Sequence, residues 1–139
     1  MDKLLIKNKY YSKINLPWIE KYRPNNINDI LLNDFIKIKI DNICNTKSIP
    51  NLIITGEPGT GKTSTVLCIT KKIYGSSSRN NILELNASDD RGLSIINNTI
   101  IPFCKKKTDK MNFKLVVLDE ADSITPKAQN LLNNIIAEF

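Results

Sequence analysis

Apolar residues fall along this chain in short runs whose spacing switches between that of a strand and that of a helix. Leu52-Ile53-Ile54 is an unbroken apolar run between Pro50 and Gly56 and predicts a buried strand over 51–55. Val66, Leu67, Ile69, Thr70 and Ile73 recur at helical intervals, so a helix is expected to end near Tyr74. A polar connector, 75–81, leads to a second strand over 82–85. Leu93, Ile96 and Ile100 share one helix face, and Pro102 predicts that this helix ends or kinks there. A basic loop over 105–110 precedes a β-rich run, with a strand expected over 114–118. Thr125 and Pro126 have the chemistry of an N-cap and a first helical residue. Leu131, Leu132, Ile135, Ile136 and Phe139 would form the apolar side of that last helix. Upstream, Ile36, Ile40, Ile43 and Cys44 suit a helix, although Ile36, Ile38 and Ile40 also alternate as a strand does; helix is the reading taken. Strands alternating with helices imply an α/β fold with a mainly parallel sheet, and no internal repeat interrupts the plan.

The connection between the first strand and its helix carries the chemistry. Gly56-Glu57-Pro58-Gly59-Thr60-Gly61-Lys62-Thr63 has the pattern G-x-x-x-x-G-K-[ST] in the strand–loop–helix context that a phosphate-binding loop requires. Glycines let backbone N–H groups turn inward around phosphate oxygens, and the helix N-terminus adds partial positive charge. Lys62 would reach the β- and γ-phosphates of ATP, the Thr63 hydroxyl would ligate Mg²⁺, and Ser64 completes the binding run. A glycine-rich turn that binds nothing is the alternative for the loop alone. A second segment removes most of its weight: the apolar run 113–118 ends in Asp119-Glu120-Ala121-Asp122. A strand delivering an acidic pair is what a Mg·ATP site needs beside such a loop. Asp119 would hold the metal through its water shell, and Glu120 would act as general base toward the attacking water.

Composition narrows the class without changing it. The 139 residues suffice for one domain with a core, and the apolar (41%) and charged (24%) fractions are ordinary for a globular protein. The net charge of +6 permits an acidic partner such as nucleic acid without requiring one. With no histidine, catalysis and metal binding through imidazole are excluded. Three scattered cysteines, Cys44, Cys68 and Cys104, read as reduced thiols of a cytosolic or nuclear protein. No apolar run is long enough to span a membrane, and residues 1–14 read as a basic tail rather than a signal peptide.

Four motifs occur in a telling order: Leu16-Pro17-Trp18-Ile19-Glu20-Lys21-Tyr22-Arg23-Pro24, the phosphate loop, Leu85-Asn86-Ala87-Ser88-Asp89-Asp90-Arg91-Gly92, and Asp119-Glu120-Ala121-Asp122. Together they resemble the small subunits of eukaryotic replication factor C, the AAA+ ATPase that loads the sliding DNA clamp. The resemblance runs from about residue 15 to Phe139, and Phe113 to Leu118 with Ala128-Gln129-Asn130 looks most like subunit five. It implies a P-loop NTPase fold of AAA+ type, a parallel sheet flanked by helices, with ATP and Mg²⁺ as cofactors. It further implies other replication factor C subunits, the sliding clamp (proliferating cell nuclear antigen) and primer-template DNA as partners, and a nuclear location. By the same resemblance, Ile19 would touch adenine, Tyr22 and Arg23 would meet the base or its neighbours, and Leu31 would lie near it. Without the resemblance, Trp18 and Tyr22 read more simply as core aromatics. Ile101 and Phe103 are placed either at the clamp-facing end or in the protein's own core.

The chain departs from the family pattern in places. Glu57 stands where a neutral residue is usual, so its carboxylate must point outward or weaken phosphate binding. Asn97, Asn133 and Asn134 stand where arginines are usual, which puts direct DNA contact in more doubt than ATP binding. The family continues past Phe139 with further strands, a sensor, an arginine finger, a lid and an oligomerisation domain; the expectation is therefore a C-terminally truncated AAA+ domain over 15–139, poorly active alone. Two other functions fit less well: a different AAA+ protein of replication or recombination, or a nucleotide-binding interaction module that does not hydrolyse ATP.

Overall fold

The computed structural model describes residues 16–46, 48–75, 79–89, 92–107 and 113–139, which form two compact units meeting in sequence at Ile73 and Tyr74. The basic tail expected over 1–14, Arg91 and much of the connectors over 75–81 and 105–110 lie outside the described residues.

The first unit opens with a single helical turn, α1 (Trp18–Lys21), followed by a 3₁₀ turn, Ile27–Asp29, that brings Ile27 and Ile30 into the interior. Helix α2 (Asp34–Thr46) starts where Asn33 caps it: the Asn33 Oδ1 accepts from the Phe35 N–H at 2.9 Å. Ile40 and Cys44, one turn apart, are its buried residues, whereas Ile36 and Ile38 are exposed. That four-residue interval settles the helix-or-strand ambiguity in favour of the helix. Helix α3 (Lys62–Tyr74) buries Thr65, Cys68, Ile69, Thr70 and Ile73. Lys72 joins it to α2 through Asp41 (3.1 Å), and Lys71 reaches Asn25 (3.1 Å).

The strand expected over 51–55 is not formed. These residues take part in no ladder, and Ile53 is 91% exposed. An apolar run specifies that a segment wants burial, but a strand exists only where another strand supplies its hydrogen bonds, and among the described residues the one pairing is elsewhere.

That pairing builds the second unit. Strands β1 (Ile82–Asn86) and β2 (Leu115–Asp119) run parallel in register from Ile82 opposite Leu115 to Asn86 opposite Asp119. Between them lies helix α4, α-helical at Leu93–Ile95, π-helical at Ile96–Ile100 and α-helical again at Ile101–Lys105. Pro102 thus neither ends nor breaks this helix. Proline cannot donate to the carbonyl four residues back, and its ring crowds that carbonyl; a π turn immediately before it widens the ladder where an α register would fail. After β2, a 3₁₀ turn (Ala121–Ser123) leads to α5 (Pro126–Glu138), whose N-cap is Thr125, accepting from the Ala128 N–H.

Leu83 and Leu85 of β1 with Val116 and Leu118 of β2 pack on Ile96, Ile100, Ala128 and Ile135. Alternate strand residues point to one face, so the sheet presents its apolar side to α4 and α5. Ile136 and Phe139, expected on the apolar side of α5, are instead exposed; Ala128 takes the buried place because a small residue lets the helix approach closely. No described helix is long and apolar enough to cross a membrane.

Candidate functional site

In the first unit, the run 51–60 is exposed and the loop closes on itself. Gly59 and Gly61 take φ of +80° and +90°, a region that penalises any Cβ. At Gly56 a Cβ would come within 2.9 Å of the Thr60 Oγ1. That hydroxyl donates to the Glu57 carbonyl at 2.8 Å and ties the turn. Across the loop the Lys62 ammonium donates to the carbonyls of Gly56 (2.8 Å) and Glu57 (3.0 Å). The first turn of α3 is fastened below by Thr65, whose N–H and Oγ1 both donate to the Gly61 carbonyl, at 2.8 and 2.9 Å. No acidic residue lies in that first turn, so its positive end faces the loop without an internal carboxylate. Positive-φ glycines, a lysine over the loop and a 13-residue helix behind it are what a polyphosphate group requires. Glu57 is exposed, which is compatible with an outward carboxylate; Thr63 lies exposed and Ser64 half-buried on the first helical turn.

The segment before the loop is fastened to this helix. Arg23 donates through Nε to Glu20 Oε2 (3.0 Å) and through Nη2 to Glu20 Oε1, while its Nη1 donates to the Ser64 Oγ at 3.1 Å. Its guanidinium holds the Glu20 carboxyl below the usual carboxylate range. The Cys68 thiol donates to the Pro24 carbonyl (3.4 Å), and Ile30 Cγ2 lies 4.0 Å from the point where a Cβ on Gly61 would stand. Trp18, Ile19, Tyr22 and Leu31 are exposed, Leu31 completely, so the reading of Trp18 and Tyr22 as core aromatics does not hold. The link from Arg23 to Glu20 and Ser64 was missed in the sequence. The three-residue interval from Glu20 to Arg23 was its one visible sign; the contact with Ser64, 41 positions away, left none.

In the second unit, β2 delivers Asp119 half-buried at its end, and the Ala87 N–H donates to the Asp119 carbonyl at 2.9 Å, one step beyond the ladder. Glu120 follows in the left-handed region, φ 52° and ψ 42°, among the described residues the sole non-glycine there. The Asp119 Oδ1 accepts from the Glu120 N–H at 3.1 Å and supports this turn. For a glutamate that backbone costs roughly 1–2 kcal/mol, and such strain gathers at functional sites. Its effect is to end the strand abruptly and set the Glu120 side chain out into solvent.

Asn97, Asn133 and Asn134 are all exposed. Ile101 packs on the core of the second unit, and Phe103 is half-buried with the Lys114 ammonium 5.4 Å from its ring centre. Burial pushes the Cys44, Cys68 and Cys104 thiols up, which suits structural cysteines rather than nucleophiles.

The chain is similar to known proteins. The sequence is 47% identical over 127 residues to replication factor C subunit 5 of Homo sapiens, covering 90% of this chain and 37% of that protein. It is 44% identical over 126 residues to replication factor C subunit 5 of Arabidopsis thaliana, covering 88% and 34%. To replication factor C subunit 3 of Saccharomyces cerevisiae it is 41% identical over 129 residues, covering 92% and 38%. The chain therefore spans little more than a third of the length of these curated relatives. The sequence model of the ATPase family associated with various cellular activities (AAA) matches residues 52–139, from the apolar run before the glycine loop to the C-cap of α5. With more than half of its length matched, and the glycine loop and acidic strand end both inside that span, this chain belongs to the AAA family of ATPases.

Proposed function

We propose that this chain is the nucleotide-binding part of a replication factor C small subunit, binding Mg·ATP and hydrolysing it as the sliding clamp is placed on primed DNA. The observation that carries the reading is the loop 56–63, with two left-handed glycines and the Lys62 ammonium over its carbonyls. The likeness to replication factor C subunits supports the narrower assignment. Loop N–H groups and Lys62 would bind the phosphates, and Ile19, Tyr22 and Leu31 would offer the base an exposed apolar surface. Thr63 and Asp119 are the residues that would hold a magnesium ion, which would draw charge from the phosphate oxygens. Glu120 would take the proton from water as its oxygen bonds to the γ-phosphorus and the bond to the bridging oxygen breaks.

The partners proposed are other replication factor C subunits, the clamp and primer-template DNA, within the nucleus. Because Asn97, Asn133 and Asn134 carry no charge, this chain's own share of the phosphate contacts is expected to be small. The decisive experiment is single-turnover hydrolysis by an assembled loader in which the other sites are disabled. Glu120→Gln is expected to retain ATP and lose turnover at this site. Undiminished turnover would mean a different base, and no turnover in the unsubstituted protein would favour the non-hydrolysing module.

A further inference from the structure

Between Lys47 and Lys71 the chain carries two charged side chains, Glu57 and Lys62, and both belong to the phosphate loop. The loop is therefore formally neutral. Its pull on an anion comes from its N–H groups and from the positive end of α3, whose first turn contains no acidic residue. The two charges are held close together: the Lys62 ammonium donates to the carbonyl of Glu57 itself at 3.0 Å. That carbonyl also accepts from the Thr60 N–H (3.3 Å) and the Thr60 Oγ1 (2.8 Å), and Pro58 restricts the residue before it to extended backbone. The root of the Glu57 side chain is thus fixed on the loop. Its carboxylate is exposed and, among the described residues, has no ion-pair partner. Exposure weakens the field of that charge without removing it, because a charge in water still acts over a Debye length of about 10 Å at 0.1 M salt.

We propose that Glu57 is a specificity-determining residue, which makes the phosphate loop select the magnesium-bound triphosphate over the metal-free one by charge. The inference rests on the nucleotide-site reading above. Free ATP carries about four negative charges near neutral pH and its magnesium complex about two, so a fixed carboxylate repels the free form about twice as strongly. Lys62 acting alone would favour the more highly charged form. Glu57, of opposite sign on the same loop, cancels that preference. Metal-free nucleotide lacks the ion that draws charge from the phosphate oxygens, so disfavouring it keeps the loop for the reactive complex.

The experiment measures ATP affinity on the full chain by calorimetry, with excess magnesium and with EDTA, at about 50 mM and about 500 mM salt. Glu57→Gln keeps the shape of the side chain and removes its charge. At the lower salt it is expected to tighten metal-free ATP about tenfold and the magnesium complex about threefold. Comparing both ligands in both proteins cancels whatever the metal contributes equally to each, so the charge selection is read as a ratio of about threefold. Both gains should shrink toward unity at the higher salt, and Glu57→Lys should extend them in the same direction. Equal gains for the two forms, or gains that persist at high salt, would show Glu57 acting through the shape of the loop and overturn the proposal. Unchanged affinities would overturn it as well, and so would weaker binding of the magnesium complex alone, which would make Glu57 a partner of the metal. Lys62→Ala without effect on either form would overturn the nucleotide-site reading itself. Where Lys62→Ala weakens both forms and the Glu57→Gln ratio stays at one, that reading stands and the charge selection by Glu57 fails.

Discussion

The Lys62 ammonium donates to the carbonyl oxygen of Gly56 at 2.8 Å, bridging the lysine and the first glycine of the loop pattern across its mouth. A cation held there meets a phosphate by exchanging carbonyl partners for anionic oxygens, which bind it more strongly. Lys62→Ala is therefore expected to raise the dissociation constant for a fluorescent ATP analogue by about 10- to 100-fold. The fold should survive, since the loop is also tied by Thr60 and Thr65. Equal affinity in the two proteins would refute the loop assignment.

Glu120 gives a test in which stability and function move in opposite directions. Its φ of 52° is unfavourable for any residue with a Cβ, and glycine relieves that strain while losing some entropy on folding. Glu120→Gly is expected to raise stability by up to about 1 kcal/mol in a denaturant titration. The same substitution removes the carboxylate and should abolish hydrolysis in the assembled loader. A clear loss of stability would mean that the glutamate side chain holds the turn.

The core of the second unit is centred on Ile96, 1% exposed, whereas Ile136 on α5 is 54% exposed. Ile96→Ala should cost about 2–5 kcal/mol, because a cavity opens among residues fixed by both strands and by α5. Ile136→Ala should change stability by less than about 0.5 kcal/mol. Chemical denaturation of the two variants side by side measures the contrast, and similar losses would place Ile136 in an interface of the folded protein.

Tyr74 supplies a prediction in pH. Burial pushes its phenol from 10.0 to about 12, with its ring edge-on to Phe113 at 5.4 Å. The folded state therefore binds the proton more tightly than the unfolded chain does. Its contribution to stability is fully present below pH 10 and is lost as the pH rises through about 12. Alkaline absorbance titration should show one late phenolate transition, missing in Tyr74→Phe. Ionisation of Tyr74 near pH 10 would place it in water.

Much of the plan was readable in the order of residues, because helices α3 and α5 and strands β1 and β2 carry their own period, whereas the period of α2 fitted helix and strand alike. Thr125 marks a helix start through a bond made within three residues, with Pro126 following it as the first helical residue. The glycine pattern likewise foretold the backbone of the loop, since Gly59 and Gly61 answer to local sterics. Pro102 was expected to end or kink its helix, but the helix runs on to Lys105 after a π turn. Which remedy a helix adopts depends on what packs along it, and Ile96 and Ile100 are anchored on both sides of that turn in the core.

The sequence by itself determined the local chemistry: a loop shaped for phosphate, an acidic strand end, the helix caps and the absence of histidine. Tertiary structure decided everything that required a distant partner. It left 51–55 without a ladder, chose Ala128 over Ile136 for burial, and joined Arg23 to Ser64 across 41 positions. The physical reason is common to all three. Period, capping and φ preference act within a few residues, whereas strand pairing, burial and a bridging guanidinium depend on groups that only folding brings together.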